Sequence, residues 1–165
     1  MTLIQIVIFI LIFVVLHDAA TLKPLKPLVP SEDDYTHNIV VDEDNPNQYV
    51  ILWKIINEEE IQFEAHVRTN GWFGLGISPN GGMGGSDIVI GWVKDNKAYL
   101  KDCSASDKST PIEDEKQDYK LIDGAEIDGY TILKFRRKLI TCDEANDRPI
   151  KVSFYIFIID NSNLK

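Results

Sequence analysis

Positive charge is scarce in this 165-residue sequence, since 17 Lys and Arg stand against 26 Asp and Glu and give a formal net charge of −9. A field of that sign repels a phosphate backbone, so the composition excludes a nucleic-acid-binding protein. The one basic cluster, KFRRK at 134–138, lies in a segment of alternating residues and is predicted to be a solvent-exposed strand face.

Several kinds of chemistry are also missing. The sequence shows no amphipathic helical window, no phosphate-binding loop and no Ser/His/Asp or paired-carboxylate arrangement, so it predicts no hydrolytic or transfer reaction. It has no Asn-x-Ser/Thr acceptor, so N-glycosylation is not expected. Only three His and two Met are present, which limits any site that needs imidazole or thioether ligands.

The long apolar run, TLIQIVIFILIFVVL at 2–16, is short for a membrane span, which takes about 20 residues. It is typical of a secretory signal peptide, predicted over residues 1–20, with an uncleaved membrane anchor as the alternative. The proline-rich, acidic residues 21–34 are predicted to be a linker or an extended lead-in strand. The mature protein is therefore expected outside the cell or in the lumen of a secretory vesicle.

The alternation of apolar and polar residues has a period of two. In EIQFEAHVRT at 60–69 one face is apolar, and the other, which carries His66, is expected to be exposed. Eight or nine such segments within about 125 residues, separated by turn sequences, predict an all-β antiparallel sandwich. The other segments are 49–56, 72–78, 87–93, 97–102, 118–123, 130–135 and 150–159.

Residues 70–92, NGWFGLGISPNGGMGGSDIVIGW, hold eight of the ten glycines. Gly74 and Gly76 alternate within a predicted strand and would let a bulky group lie against the backbone. That group is either aromatic core from the opposite sheet or a ligand. Trp72 and Trp92 either form a shelf for a sugar ring or small aromatic molecule, or belong to the core.

Four separated motifs, GWFGLGISPNGGMGGSDIVIGWV, AYLKD, QDYKL and FRRKLITCD, together resemble a DOMON domain. The likeness is greatest to the N-terminal DOMON domain of the dopamine β-monooxygenase-like, ascorbate-dependent copper monooxygenases, and it runs from about Asn47 to Ile159. It implies an immunoglobulin-like β-sandwich over residues 35–165. The family's last strand is not found, which would leave the edge of 150–159 open unless the N-terminal segment or a partner covers it.

The resemblance also implies a site for a hard cation, Ca²⁺ or Na⁺. Its ligands would be the side chains of Asp87 and Asp118 with the main-chain carbonyls of Ile88 and Cys103, an all-oxygen set that suits such ions. The alternative is that Asp87 caps a turn and Asp118 is solvated.

The sequence offers few residues for a cofactor that is bound through histidine. The related enzymes bind two coppers in domains that follow the DOMON domain, whereas this chain offers His37, His66 and Met83 beyond the leader, so no copper and no catalysis by this chain are expected. A haem b electron-transfer domain is an alternative, because Met83 matches the axial methionine of haem-binding DOMON domains. The late strand, however, lacks the partner histidine.

The sequence thus predicts a secreted, non-catalytic DOMON module that binds a small ligand or a partner. The partner would be copper monooxygenase catalytic domains or another extracellular protein, with membrane contact only if the N-terminal segment stays uncleaved. Alternatives are a truncated form of such an enzyme, or its regulatory N-terminal part, acting on catecholamine or phenolamine substrates. In relatives the cysteine matching Cys142 bonds a distant cysteine, and here a bond to Cys103 is favoured over one to another chain.

Overall fold

The structure, a computed structural model, describes residues 12–15, 31, 33–41, 48–151 and 153–160. These residues form strands and turns, and none of them belongs to a helix long and apolar enough to cross a membrane. The strands are β1 (Ile12–Val15), β2 (His37–Val40), β3 (Tyr49–Ile56), β4 (Glu60–Val67), β5 (Trp72–Ser78), β6 (Ser86–Lys94), β7 (Lys97–Ala105), β8 (Ile112–Glu113), β9 (Lys120–Ile127), β10 (Tyr130–Lys138) and β11 (Ser153–Asp160).

The strands pair antiparallel in two sheets. The first sheet has the order β1-β11-β5-β6-β7-β8 and the second has the order β2-β3-β4-β10-β9. Their inner faces supply a common core that includes the fully buried Leu75 and Val89 of the first sheet and Phe63 and Leu133 of the second. The predicted all-β sandwich is confirmed, because in the central strands alternate residues, such as Phe73, Leu75 and Ile77 of β5, lie in this core.

The glycine-rich stretch makes room for an aromatic ring of its own sheet. Gly76 in β5 pairs with Phe157 in β11, and a Cβ at Gly76 would lie 2.1 Å from the Cζ atom of that ring. The ring belongs to a small apolar cluster on the outer face of the first sheet, which is separate from the main core. The group that lies against the bare backbone of Gly76 is therefore the Phe157 ring of the same sheet, and neither of the two predicted alternatives, aromatic core from the opposite sheet or a ligand, is correct there.

The expectation that the polar face of β4 is solvent-exposed is wrong. His66 and Glu64 are 2% and 3% exposed, and His66 Nε2 lies 2.6 Å from Glu64 Oε1. Ser31 Oγ donates to Glu64 Oε2 at 2.9 Å, and Asp33 accepts from Lys54 and forms an ion pair with Lys134. Alternation shows that the two faces of β4 differ. It does not show that the segment with Ser31 and Asp33 covers the polar face.

The described N-terminal segments form strands of the two sheets, β1 in the first and β2 in the second. β1, which lies inside the predicted signal peptide, pairs with β11 from Val15 opposite Ser153 to Ile12 opposite Ile156. In the uncleaved chain it therefore covers part of the β11 edge, as the sequence allows for the N-terminal segment. Residues 1–11 and 16–30 lie outside the described part of the chain, so the signal peptide and most of the linker stay predictions.

The two cysteines are not bonded to each other. Cys103 is buried in the apolar cluster on the outer face of the first sheet, whereas Cys142 is exposed in the loop after β10. The favoured internal disulfide is thus absent from this structure, because the chain fold separates a strand side chain under apolar cover from a loop side chain in solvent.

Candidate cation site

Buried carboxylates gather at one end of the sandwich. Asp87 lies near the start of β6, and Asp102 lies in β7 opposite Val89, so the two are diagonal neighbours on the inner face of this strand pair. Asp147, in the loop between β10 and β11, completes the inner triad, as we call these three residues. An oxygen from each lies within 4.8 Å of the others, and the residues are 0%, 1% and 3% exposed.

A second group of carboxylates adjoins the first. Asp118, Asp143 and Asp147 also bring oxygens within 4.8 Å of one another, and we call them the outer triad. Asp118 and Asp143 are half-buried, and the main-chain N–H of Asp118 donates to Asp102 Oδ2 at 2.8 Å. The predicted ligands Asp87 and Asp118 therefore belong to neighbouring triads that share Asp147.

The predicted carbonyl ligands lie beside the inner triad. Ile88 and Cys103 face each other across β6 and β7, each next in sequence to an inner-triad aspartate. Their side chains point to the apolar cluster on the outer face. Coordination by their main-chain oxygens stays a prediction.

A buried guanidinium enters the inner triad from the opposite sheet. Arg137 in β10 is 1% exposed, and its Nη1 donates to Asp87 Oδ2. Its other donors are held by main-chain carbonyls, Nη2 by Arg148 at 2.7 Å and Nε by Lys138 at 2.9 Å. The expected exposed basic face at 134–138 is therefore wrong at Arg137, because the alternation of β10 places it on the inner side with Phe135.

The three carboxylates of the inner triad carry more negative charge than the single Arg137 guanidinium can neutralise. Asp87 Oδ1, Asp102 Oδ1 and both oxygens of Asp147 are buried, and none accepts a well-formed hydrogen bond among the described residues. Burial raises the pKa of Asp87 to about 6 and that of Asp102 to about 8, and it also raises the pKa of Asp147. One oxygen from each of the three residues lies within 4.8 Å of the others, and carboxylate oxygens grouped in this way are donors that a hard cation takes.

These pKa shifts predict how the metal-free protein responds to pH. Between about pH 4 and pH 8 the folded state keeps protons on Asp102 and Asp87 that an unfolded aspartate, with a pKa of about 3.9, has lost, so the free energy of unfolding should fall as the pH rises. Denaturant unfolding in the presence of a chelator measures it. Asp102→Asn should flatten the dependence, and a variant with an unchanged slope would contradict the assignment.

Sequence reasoning missed two members of the inner triad. Asp102 lies in the motif AYLKD, and the alternation of β7, with Leu100 packed against the core, was a signal that its side chain points inward. Gln117 of the QDY segment fixes this strand, since its Nε2 donates to the Asp102 carbonyl at 3.0 Å and its Oε1 accepts from the Asp102 N–H at 2.8 Å. Asp147 carries no comparable signal, because its place depends on how a loop folds back.

The described residues do not fit a haem. Met83 is buried against Ile88, Cys103 and Phe157 on the outer face of the first sheet. Of the two described histidines, His66 lies in the second sheet and His37 stacks on Trp53 of that sheet, with ring centroids 5.4 Å apart. Axial ligation by Met and His needs both side chains at one macrocycle, which this placement prevents.

The proposed tryptophan shelf is partly occupied by the protein itself. Trp72 and Trp92 are half-buried, and the ring of Trp92 stacks on Tyr99 with centroids 5.2 Å apart and planes 6° apart. Lys97 Nζ lies over the Tyr99 ring at 5.3 Å. A ring face used in a cross-strand stack is not offered to a sugar.

Comparison with known proteins shows where similar sequences occur. The family model described as DOMON domain matches residues 44–160. The chain is 42% identical over 106 residues to MOXD1 homolog 2 of Drosophila melanogaster, covering 63% of this chain and 14% of that protein. It is 36% identical over 116 residues to DBH-like monooxygenase protein 1 of Mus musculus, covering 70% of this chain and 18% of that protein.

A more distant relative is dopamine beta-hydroxylase of Rattus norvegicus, 26% identical over 116 residues, with 69% of this chain and 18% of that protein covered. The chain thus spans between 14% and 18% of the length of these three relatives.

Solved structures show the same fold. The cytochrome domain of Myriococcum thermophilum cellobiose dehydrogenase superposes with a TM-score of 0.50 at 19% identity, covering 61% of this chain and 54% of that domain. The cytochrome b domain of pyranose dehydrogenase from Coprinopsis cinerea gives a TM-score of 0.55 at 13% identity, covering 70% and 62%. At such identities the likeness concerns the backbone arrangement alone.

Proposed function

We propose, from the premise that this chain belongs to the DOMON domain family, that it is a secreted, non-catalytic, cation-binding module of the DBH-like monooxygenase lineage. The observation that carries the proposal is the inner triad Asp87, Asp102 and Asp147, with its orphan oxygens. Buried carboxylates of this kind are found paired or bound to a metal, because an unneutralised buried charge is costly.

The charge balance favours a divalent cation. Three carboxylates and one fixed guanidinium leave the inner triad with two uncompensated negative charges when ionised. Arg137 occupies only one oxygen of Asp87, so Oδ1 remains for an ion. An all-carboxylate set suits Ca²⁺, which takes six to eight oxygen ligands at about 2.3–2.6 Å, better than metals that prefer nitrogen or sulfur. Carbonyls and water would supply the remaining ligands.

Such an ion would stiffen one end of the sandwich. It would tie β6 and β7 of the first sheet to the loop that follows β10, which Arg137 already joins to the second sheet through the Arg148 carbonyl. That loop also presents the exposed Cys142. A rigid loop that carries an exposed thiol suits attachment to a partner, and we propose copper monooxygenase catalytic domains or another extracellular protein in that role.

We propose no reaction for this chain itself. Met83 lies on the outer face of the first sheet, and His37 and His66 lie on the second, so these side chains do not converge on a copper ion. The relatives that it matches are several times longer, and their activities belong to those whole proteins.

Calcium should stabilise the protein, and Asp102→Asn should cancel the gain. At a free Ca²⁺ concentration about 100 times the Kd, binding should add about 2.7 kcal/mol to the free energy of unfolding. In chelator the same variant should be more stable than wild type at about pH 7.5, because burial raises the pKa of Asp102 to about 8 and wild type must take up a proton there on folding, which Asn need not do. Thermal denaturation with and without Ca²⁺ measures both effects.

The matched control is Asp95→Asn. Asp95 is exposed in the turn after β6, in a left-handed conformation (φ 53°) that Asn adopts readily. It lies about 26 Å from Asp87 along the strand at about 3.3 Å per residue. The control should keep the whole calcium gain. Equal shifts for both variants, or no calcium gain in wild type, would overturn the proposed function.

A further inference from the structure

We propose that this end of the sandwich binds two cations, the second in the outer triad Asp118, Asp143 and Asp147, with Asp147 bridging the two. The inference rests on the proposed function, because it adds a neighbouring ion to the one held by Asp87 and Asp102. It assigns to the outer triad a role that one-ion binding does not require.

The bridging residue is the central observation. Asp147 belongs to both triads, is 3% exposed and has two buried oxygens that accept no well-formed hydrogen bond among the described residues. A single ion on the inner side can use one of these oxygens and leave the other without a partner. The Asp147 carboxylate lies between two further pairs of carboxylates, so it can bind one cation through each of its oxygens.

The position of Asp147 is held by its own loop. Its main-chain N–H donates to the Asp143 carbonyl at 2.9 Å, and the N–H of Arg148, the next residue, donates to Asp87 Oδ2 at 3.2 Å. Arg148 Nε also donates to the Gly85 carbonyl at 2.6 Å. The loop is thereby attached to β6 on one side and to Asp143 on the other, so Asp147 stays between the triads.

The outer triad is short of positive charge as well. Lys116 neighbours this triad, with its Nζ 2.8 Å from Asp118 Oδ2, and Arg137 interacts with the shared Asp147. The Lys116 side chain is 54% exposed and its Nζ also donates to the Thr141 carbonyl at 3.0 Å, so an arriving ion would displace it into solvent from both contacts. The Asp143 carboxylate accepts long hydrogen bonds from the main-chain N–H and the side-chain amide of Asn146, at 3.3 and 3.4 Å. Asp114 adds a further carboxylate nearby, whose pKa is raised by burial and also by Coulombic repulsion from Asp143 and Asp118.

The two positions differ in depth, which predicts an order of filling. The inner triad is buried, whereas Asp118 and Asp143 are half-buried and so leave room for water on the ion. A Ca²⁺ ion at a half-buried position keeps more of its water and is bound by fewer protein oxygens. It therefore binds more weakly. The inner position should therefore fill first and the outer position at higher calcium.

The test counts ions on the purified full chain. Native mass spectrometry and calorimetric titration with CaCl₂ should give two Ca²⁺ per wild-type chain and one per Asp143→Asn chain. Asp118→Asn is a second variant of the same triad, and Asp95→Asn is the control that should keep two. Far-UV circular dichroism establishes that each variant is folded.

The outcomes separate the two proposals. One ion in wild type and also in Asp143→Asn would overturn the second position and leave the proposed function standing. No ion in wild type would overturn both. Two ions in both Asp143→Asn and Asp118→Asn would place the second ion elsewhere and overturn the inference.

Discussion

Replacing Arg137 with Met should lower the free energy of unfolding by about 3–5 kcal/mol, because it leaves Asp87 buried without its counter-ion. Arg137 is 1% exposed, so water cannot take the place of the guanidinium. Three interactions, with Asp87 Oδ2 and with the carbonyls of Lys138 and Arg148, would be lost together. Urea denaturation in chelator at about pH 7.5 measures the loss.

Two controls separate buried charge from loss of volume. The double variant with Asp87→Asn and Arg137→Met should recover much of the stability, since neither partner is then charged. Arg136→Met, on the same strand, removes only a half-exposed ion pair with Glu60 at 3.5 Å and should cost less than about 1 kcal/mol. If Arg137→Met costs no more than Arg136→Met, the buried pair does not hold the two sheets together at this end.

Replacing Phe157 with Ala should also cost about 3–5 kcal/mol, because it opens a cavity over bare backbone. Phe157 is 2% exposed, and its ring lies where the side chain of residue 76 would be. Gly76→Ala should cost about 1–3 kcal/mol, since its methyl group would overlap that ring. Combined, the two changes should cost less than their sum, because the new methyl group enters the space that the ring vacates.

Gly74→Ala is the matched control on the same strand. A Cβ at Gly74 meets Ile88 Cγ2 at 3.6 Å, an ordinary van der Waals distance, so the change should be close to neutral. Denaturant unfolding of Phe157→Ala, Gly76→Ala, the double variant and Gly74→Ala, each compared with wild type, measures these effects. Additive losses for Phe157→Ala and Gly76→Ala, or equal effects at Gly74 and Gly76, would show that the ring does not require a bare backbone at this position.

Much of the site could be predicted, and its gaps have a physical cause. The family resemblance identified Asp87, and strand alternation contained the information that places Asp102 beside it on the inner face. The basic cluster KFRRK at 134–138 predicts a solvent-exposed strand face, although Arg137 has the same parity as the buried Phe135. Asp147 lies in an irregular loop, where no periodicity fixes the direction of a side chain.

The sequence by itself determined the two-sheet architecture and the positions of its main strands. These follow from interactions between near neighbours, because a period of two and a turn sequence act within a few residues. Only the tertiary structure decided that His66 is covered, that Arg137 meets Asp87 and that Asp147 joins two groups of carboxylates. Each of these depends on segments far apart in the chain that the packing of two sheets and a returning loop brings together.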